Sequence, residues 1–264
     1  MSKSKRDSLG DRMKKYEAVP KMSLMRRTPV ILRLDGKAFH TFTKGFDRPF
    51  DEAIQRCMLA TAKYLCENVQ GCVLAYTQSD EITLVLCDYK NLESEAWFDY
   101  KVQKMVSVAA SMATFKFLDE LGDIVYEYYT ADEKAFKERI DFLVKKIRKG
   151  AFFDARCFNL PREEVCNCLI WRQQDAIRNS IQALAQSLFP AKQLEGLSCD
   201  KLKEKMEKEK SVKWEDLDWY QRSGACVVRD YLDRKWEVDY RTPLFTEDRA
   251  YVNKRIYFEE DNYA

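Results

Sequence analysis

Apolar residues recur along this chain with two different spacings, and the switches between them mark its elements. Val30-Ile31-Leu32-Arg33-Leu34-Asp35 is a strand signal that ends on a carboxylate with glycine directly after it. Gly36 is expected to let the backbone turn sharply there, so that a ligand can approach the main chain. A loop over 41–49 follows, then Asp51 as N-cap of a helix with Ile54, Met58, Thr61, Leu65 and Val69 on one face, closed by Gly71. Residues 73–78 and 82–87 are β-rich and flank Ser79-Asp80-Glu81. This stretch reads either as one bent strand or as a hairpin with the acidic pair at its tip, the more economical reading because about ten residues exceed an average strand. A long helix is expected over 93–121, with Ser107, Ala109, Ala110, Ser111 and Ala113 permitting close packing on a sheet. A variable acidic and aromatic segment, a charged helix over 132–149 and a third strand over 151–160, stopped by Pro161, come next.

After Pro161 the spacing is helical again. At about 100° per residue, Arg172, Asp175, Asn179, Gln182 and Gln186 form one stripe. Ile170, Ile177, Ile181, Leu184 and Leu188 lie opposite, the expected core side. Arg, Asp and amide groups make directed hydrogen bonds, which favours a ligand- or subunit-facing stripe over plain solvent. Residues 194–213 are highly charged with mixed signs, a solvated helix over 201–210. Trp214, Trp219, Tyr220, Arg222, Tyr231, Arg234, Lys235, Trp236, Tyr240 and Arg241 then interleave aromatic and basic groups. That mixture suits stacking on bases beside phosphates, and equally a plain hairpin of 225–230 with 235–239. The basic residues 1–28 either fold over the rim of the domain, meet an acidic partner or form a solvated leader, and the acidic end 259–264 is expected to fray.

Composition narrows the class without naming it. The 264 residues are 46% hydrophobic and 33% charged, an ordinary globular balance. A formal charge of +2 does not announce nucleic acid, so local clusters must carry that argument. No apolar run approaches the roughly 20 residues that cross a bilayer, and residues 1–7 lack the apolar core of a signal peptide. A cytoplasmic location without membrane attachment is expected. Nine cysteines form no C-x-x-C and lie far from the single histidine, His40, so they read as reduced thiols filling core space rather than as zinc ligands.

Two carboxylates on neighbouring strands form an oxygen-rich site suited to Mg²⁺ holding nucleotide phosphates. Asp35 and Asp80 would bridge two ions, with the Gly36 carbonyl as a further oxygen and Glu81 third in rank, since strand alternation turns it away from Asp80. The order of strand, helix, hairpin, helix and strand, with acids on adjacent strands, suits an α+β fold with a polymerase-palm-like antiparallel sheet, packed helices and a C-terminal helical and hairpin extension. Residues 1–190 would form the catalytic part and 191–264 an extension packed on it as one compact unit.

Arg33-Leu34-Asp35-Gly36-Lys37-Ala38-Phe39-His40 together with Ser79-Asp80-Glu81-Ile82 resembles the signature of the tRNA-histidine guanylyltransferase family and its guanylyltransferase-like relatives, the 3′-to-5′ polymerases. Phe153-Asp154-Ala155-Arg156, the run Trp171 to Ser180, Trp236-Glu237-Val238-Asp239 and Pro243-Leu244-Phe245-Thr246 extend the likeness from about residue 10 to residue 255. It implies nucleotide addition to the 5′ end of tRNA, two Mg²⁺ ions, ATP to activate a 5′-monophosphate, GTP or another NTP as incoming nucleotide, and usually a tetramer. By motif match, Asp35, the Gly36 carbonyl and Asp80 would be metal ligands with Glu81 nearby. Asp35, Gly36, Lys37, Ala38, Phe39, His40, Ser79 and Asp80 would line the nucleotide, joined by Arg48 and, from the helix stripe, Asn179. His40 on its own reads as a core or rim residue; the resemblance makes it a nucleotide contact. Cys166-Asn167-Cys168-Leu169-Ile170-Trp171 stands where eukaryotic members carry a histidine- and asparagine-rich motif, and the later Glu-Lys-Asn motif has no counterpart near 195–215. The pattern is therefore nearer to bacterial or viral relatives, some of which repair truncated tRNA. Another palm-type nucleotidyl transferase or cyclase, and a non-catalytic tRNA-binding module, are the alternatives.

Overall fold

A computed structural model describes residues 8–230 and 234–258, so Lys3, Lys5, Arg6, Tyr231 and the acidic end 259–264 lie outside the described part. Among the described residues six strands form one antiparallel sheet in the order β4-β1-β3-β2-β5-β6. They are β1 (Val30–Gly36), β2 (Cys72–Gln78), β3 (Glu81–Leu86), β4 (Phe153–Asn159), β5 (Ala225–Arg229) and β6 (Trp236–Asp239). β1 and β3 are apolar almost throughout because both faces of the sheet are covered. Val30, Leu32 and Leu34 face one way, with Ile82, Leu84 and Leu86, into a core shared with α3 (Glu52–Asn68) and α4 (Val102–Asp132). Ile31 and Val85 face the other way, with Leu74 and Tyr76, under Val165, Cys166 and Leu169 of α6 (Arg162–Leu188). Each fully buried leucine of this kind contributes roughly 1.5–3 kcal/mol by leaving water. The expected adjacency of the two acidic strands holds: β3 lies directly beside β1.

Three local expectations are corrected. The long helix does not begin at 93. Trp97 and Tyr100 are buried in a single tight turn whose Phe98, Asp99 and Tyr100 have left-handed backbone, and α4 starts only at Val102. It then runs through the supposed variable segment, because Met105, Ala109, Ala113, Phe117, Leu121 and Ile124 keep one continuous buried stripe. The charged helix starts later than 132, as α5 (Lys137–Lys149). The sharp turn after β1 falls at Ala38 (φ 54°) and not at Gly36; it leads into a single helical turn, α2 (Phe39–Phe42). Gly36 is needed for another reason: a Cβ there would stand 2.3 Å from the Phe39 ring.

The segments after Leu188 are α7 (Cys199–Lys210), α8 (Trp219–Ser223) and α9 (Ala250–Asn253), together with β5 and β6. α7 packs its Leu202 and Met206 against Ile181, Leu184 and Ala185 of α6. β5 joins β2 and extends the sheet, and β6 pairs antiparallel with β5, the strand pairing that one reading expected of this stretch. Before β1, α1 (Leu9–Ala18) is closed by a Ser8–Asp11 capping box and buries no residue. The chain reaches the rim only beyond it, where Arg26 Nε donates to the fully buried Asp88 at 2.6 Å.

Candidate nucleotide and metal site

The C-terminal end of β1 sits between β3 and β4, and the register places Asp35 opposite Glu81 on one side and Asp154 on the other. Directly opposed residues of an antiparallel pair point to the same face. Three carboxylates therefore form a row across the face that α6 covers. Asp80 stands one residue earlier, in the β2–β3 turn, where Ser79 takes up a left-handed φ of 51°. The Gly36 N–H donates to the Asp80 carbonyl at 3.0 Å, which fixes the hairpin tip against the end of β1.

Charge in this corner is crowded. Burial raises the Asp35 carboxyl above its ordinary pKa, and the neighbouring Asp154 charge adds to this. Burial likewise raises Asp80, reinforced by Asp35. In both, burial is the larger cause and a neighbouring carboxylate the second, and a bound cation would oppose both. Among the described residues no three His, Cys, Asp or Glu side chains form a closed metal cage. Mg²⁺ does not need one, because it typically takes one or two carboxylates and completes its shell with water and substrate phosphate. The donor set of Asp35, Asp80 and the main chain at Gly36 fits that ion.

Glu81 is differently placed. It is 7% exposed, and its Oε1 accepts from Arg172 Nε at 2.7 Å. Arg172 also donates to Asp175 at 2.8 Å. Burial disfavours the guanidinium charge, yet the Glu81 and Asp175 hydrogen bonds raise its pKa on balance. The expectation for α6 is corrected here. Arg172 is among its buried residues, with Val165, Leu169, Gln173 and Ala176, whereas Ile170 and Ile177 are only partly buried. The first half of the helix turns its polar stripe toward the sheet because Glu81 supplies the opposite charge there. Only the second half, from Ile181 on, has the expected core side, facing α7.

A cleft of about 450 Å³ opens beside the hairpin tip, lined by residues of the loop 43–51, α3, α6 and α8. It takes in Phe39, His40, Arg48, Ser79, Asp80 and Asn179 of the expected site residues. Asp35, Gly36, Lys37, Ala38 and Glu81 lie outside its lining, with Asp35 electrostatically coupled to Asp80 at its margin. Phe39 is buried among Phe42, Phe117 and Phe153, while His40 is exposed and paired with Thr41 Oγ1 at 3.0 Å. Lys37 and Ala38 are exposed.

Two cations of α5 hold the loop that carries Arg48. Arg139 donates to both Asp51 oxygens, at 3.0 and 2.8 Å, while Asp51 caps α3 through the Ala53 N–H. The Lys146 ammonium donates to the carbonyls of Phe42 and Lys44. The role of these two residues, the Asp154 carboxylate beside Asp35 and the Arg172–Glu81 pair all escaped sequence reasoning. The signal for Asp154 was present as the alternation Phe153-Asp154-Ala155-Arg156, which becomes informative once β4 is known to flank β1.

A solved bacterial tRNA(His) guanylyltransferase (Thg1)-like protein in complex with ATP matches this structure with a TM-score of 0.83 and 40% identity, covering 95% of this chain and 100% of that one. One in complex with GTP matches with a TM-score of 0.74 and 37% identity over the same shares. A six-stranded antiparallel sheet between helices, with carboxylates beside a nucleotide-sized cleft and relatives of this kind, defines a nucleotidyltransferase. A protein of Acanthamoeba polyphaga mimivirus is 26% identical over 236 residues, 86% of this chain and 78% of its own length. The family described as Thg1, tRNAHis guanylyltransferase, matches residues 10–161, and the chain belongs to that family.

Proposed function

We propose that this protein adds GTP or another NTP to the 5′ end of tRNA in the 3′-to-5′ direction, either guanylylating tRNA-histidine or repairing a truncated end. The observation that carries the reading is the meeting of Asp35 and Asp80, both with raised pKa values, at the margin of a cleft that also presents Arg48, Ser79 and Asn179. In the first step an oxygen of the RNA 5′-phosphate attacks the α-phosphorus of ATP, and pyrophosphate leaves. In the second, the 3′-hydroxyl of the incoming NTP attacks the activated 5′-phosphorus, loses its proton, and AMP leaves.

Asp35, Asp80 and the Gly36 carbonyl would hold two Mg²⁺ ions, which supply Lewis-acid stabilisation of phosphoryl charge when bound. Arg48 would pair with triphosphate oxygens, and His40, Ser79 and Asn179 would orient the nucleotide. Lys37 and Ala38 belong to the turn that delivers Phe39 and His40 to the cleft. Glu81 would position the start of β3 through Arg172 and stand close to the metal site without being its main donor. A cytoplasmic tetramer completes the reading. Nine unbridged cysteines support the compartment, and exposed apolar residues on α1 (Leu9, Met13, Tyr16) and α4 (Phe115, Tyr126, Tyr129) support assembly. Among the described residues no helix is long and apolar enough to cross a membrane.

The test uses Mg²⁺, ATP, labelled NTPs and two 5′-monophosphorylated tRNAs, one a tRNA-histidine lacking its extra guanosine and one truncated at its 5′ end. Extension is expected with the intact protein, and Asp35→Ala or Asp80→Ala should reduce it by about a thousandfold, equivalent to several kcal/mol of lost charge stabilisation. Preference between the two tRNAs separates guanylylation from repair. Cyclic nucleotide formed without RNA would replace this reading by a cyclase, and tRNA binding without any extension by a binding module.

A further inference from the structure

A second cavity, of about 670 Å³, lies at the opposite end of the sheet from Asp80, at the start of β2 and the end of β5. Among the described residues its lining contains Lys90, Arg229, Arg234, Lys254 and Arg255 against two carboxylates, Glu67 and Asp230. Elsewhere on the molecule long cations are commonly paired, as Arg56 is with Glu120 and Glu127 or Lys203 with Glu215. Here Lys90, Arg229, Arg234 and Arg255 make no ion pair with a carboxylate of the described residues. Arg229 instead lies 5.1 Å from the Trp236 ring, and Arg255 4.4 Å from that of Tyr251. Trp236, against which Arg229 lies, also lines the cavity. Guanidinium and ammonium groups gathered on one cavity, without a carboxylate ion-pair partner among the described residues, form a site for phosphate oxygens.

We propose that this cavity binds the phosphodiester backbone of the RNA whose 5′ end is extended at the other end of the sheet. The inference rests on the reading of RNA as acceptor. The seven residues of β2 separate the cavity from the hairpin tip, a distance of about 20 Å at ~3.3 Å per residue. A mononucleotide held at the tip cannot reach across that span, whereas a structured RNA can touch both ends at once. The sequence run that interleaves aromatic and basic residues supplies Arg234 and Trp236 here. Its phosphate-pairing reading thus applies to the edge of the hairpin, far from the carboxylates.

The test is tRNA binding by fluorescence anisotropy across a range of salt concentrations, with ATP binding measured in parallel on the same preparations. Arg229→Ala/Arg234→Ala/Arg255→Ala is expected to weaken tRNA binding by at least about tenfold. It should also reduce the slope of log K against log salt by about 3, because each of the three lost phosphate contacts removes about one unit. Lys90→Ala/Arg234→Ala spares both ring-stacked arginines and should give a smaller loss in the same direction with an unchanged melting temperature. ATP binding should not change in either variant. Wild-type affinity and salt slope in both variants would overturn the inference while leaving the 5′-end reading intact. So would a second ATP or inorganic phosphate binding event, seen by calorimetry and lost in the variants without any effect on tRNA. Wild-type protein that binds ATP but no tRNA would instead overturn the RNA reading itself, and this inference with it.

Discussion

Replacing Arg172 by methionine removes one partner of a buried pair and leaves the other behind. The two side chains are each 9% exposed and 2.7 Å apart, so solvent does little to screen them. Breaking such a pair typically costs about 3–5 kcal/mol, because the remaining carboxylate stays buried without its counter-charge. In a domain of this size each kcal/mol lowers Tm by about 2–4 °C, which places the expected loss for Arg172→Met at roughly 6–20 °C. Glu81→Gln should cost less, because Arg172 keeps Asp175 as a partner. The double variant Arg172→Met/Glu81→Gln should recover at least half of the Arg172→Met loss, since no buried charge is then stranded. Urea denaturation of all four proteins closes the cycle. A single Arg172→Met within about 1 kcal/mol of wild type, or a double variant no better than that single one, would refute the reasoning. The same proteins test the division of labour among the acids. Glu81→Gln should leave the Mg²⁺ concentration for half-maximal activity close to wild type, whereas a large rise would make Glu81 a direct ligand.

Two other outcomes follow from the site. Gly36→Ala forces a Cβ into the Phe39 ring, and overpacking of this kind costs about 1–3 kcal/mol; calorimetry should show that loss together with weaker ATP binding, because Phe39 lines the cleft, and an unchanged Tm would mean the ring moves freely. Asp35 and Asp80 have folded-state pKa values above their ordinary 3.8, so the metal-free protein binds more protons folded than unfolded. Their contribution is fully favourable below the unfolded value and is lost as pH rises through the raised ones. Asp80→Asn should therefore melt higher than wild type at neutral pH without Mg²⁺, by a margin that shrinks as pH falls toward the carboxylate range. A margin independent of pH would contradict the assignment.

β1 and the β2–β3 hairpin are readable because a buried strand has no structural use for acids at its end, and the meeting of Asp35 and Asp80 follows from that. The α6 face is half readable. A charged residue on a helix normally signals solvent, and nothing local shows that Arg172 answers a glutamate 91 positions earlier. Trp97 and Tyr100 carry helical spacing in the sequence, but their burial in a turn depends on the core beneath them. Gly36 suggests conformational freedom, whereas what it provides is room for a ring three residues on. Arg139 and Lys146 look like part of a solvated charged helix. Their carbonyl and carboxylate partners belong to a loop about 90 to 100 residues away in the chain.

The strand order has a consequence for how the polypeptide can be divided. The stretch shared with the family, 10–161, contains β1 to β4 but neither β5 nor α6. Cut there, it would leave Ala75 to Thr77 without the strand that completes their ladder. It would also uncover Ile31, Leu74, Tyr76 and Val85, which α6 and the C-terminal segments keep from water. A strand with one newly exposed edge beside a bare apolar face is a template for aggregation. The part that carries the carboxylates is thus not a detachable unit: α6 both covers its apolar face and brings Asn179 to the cleft.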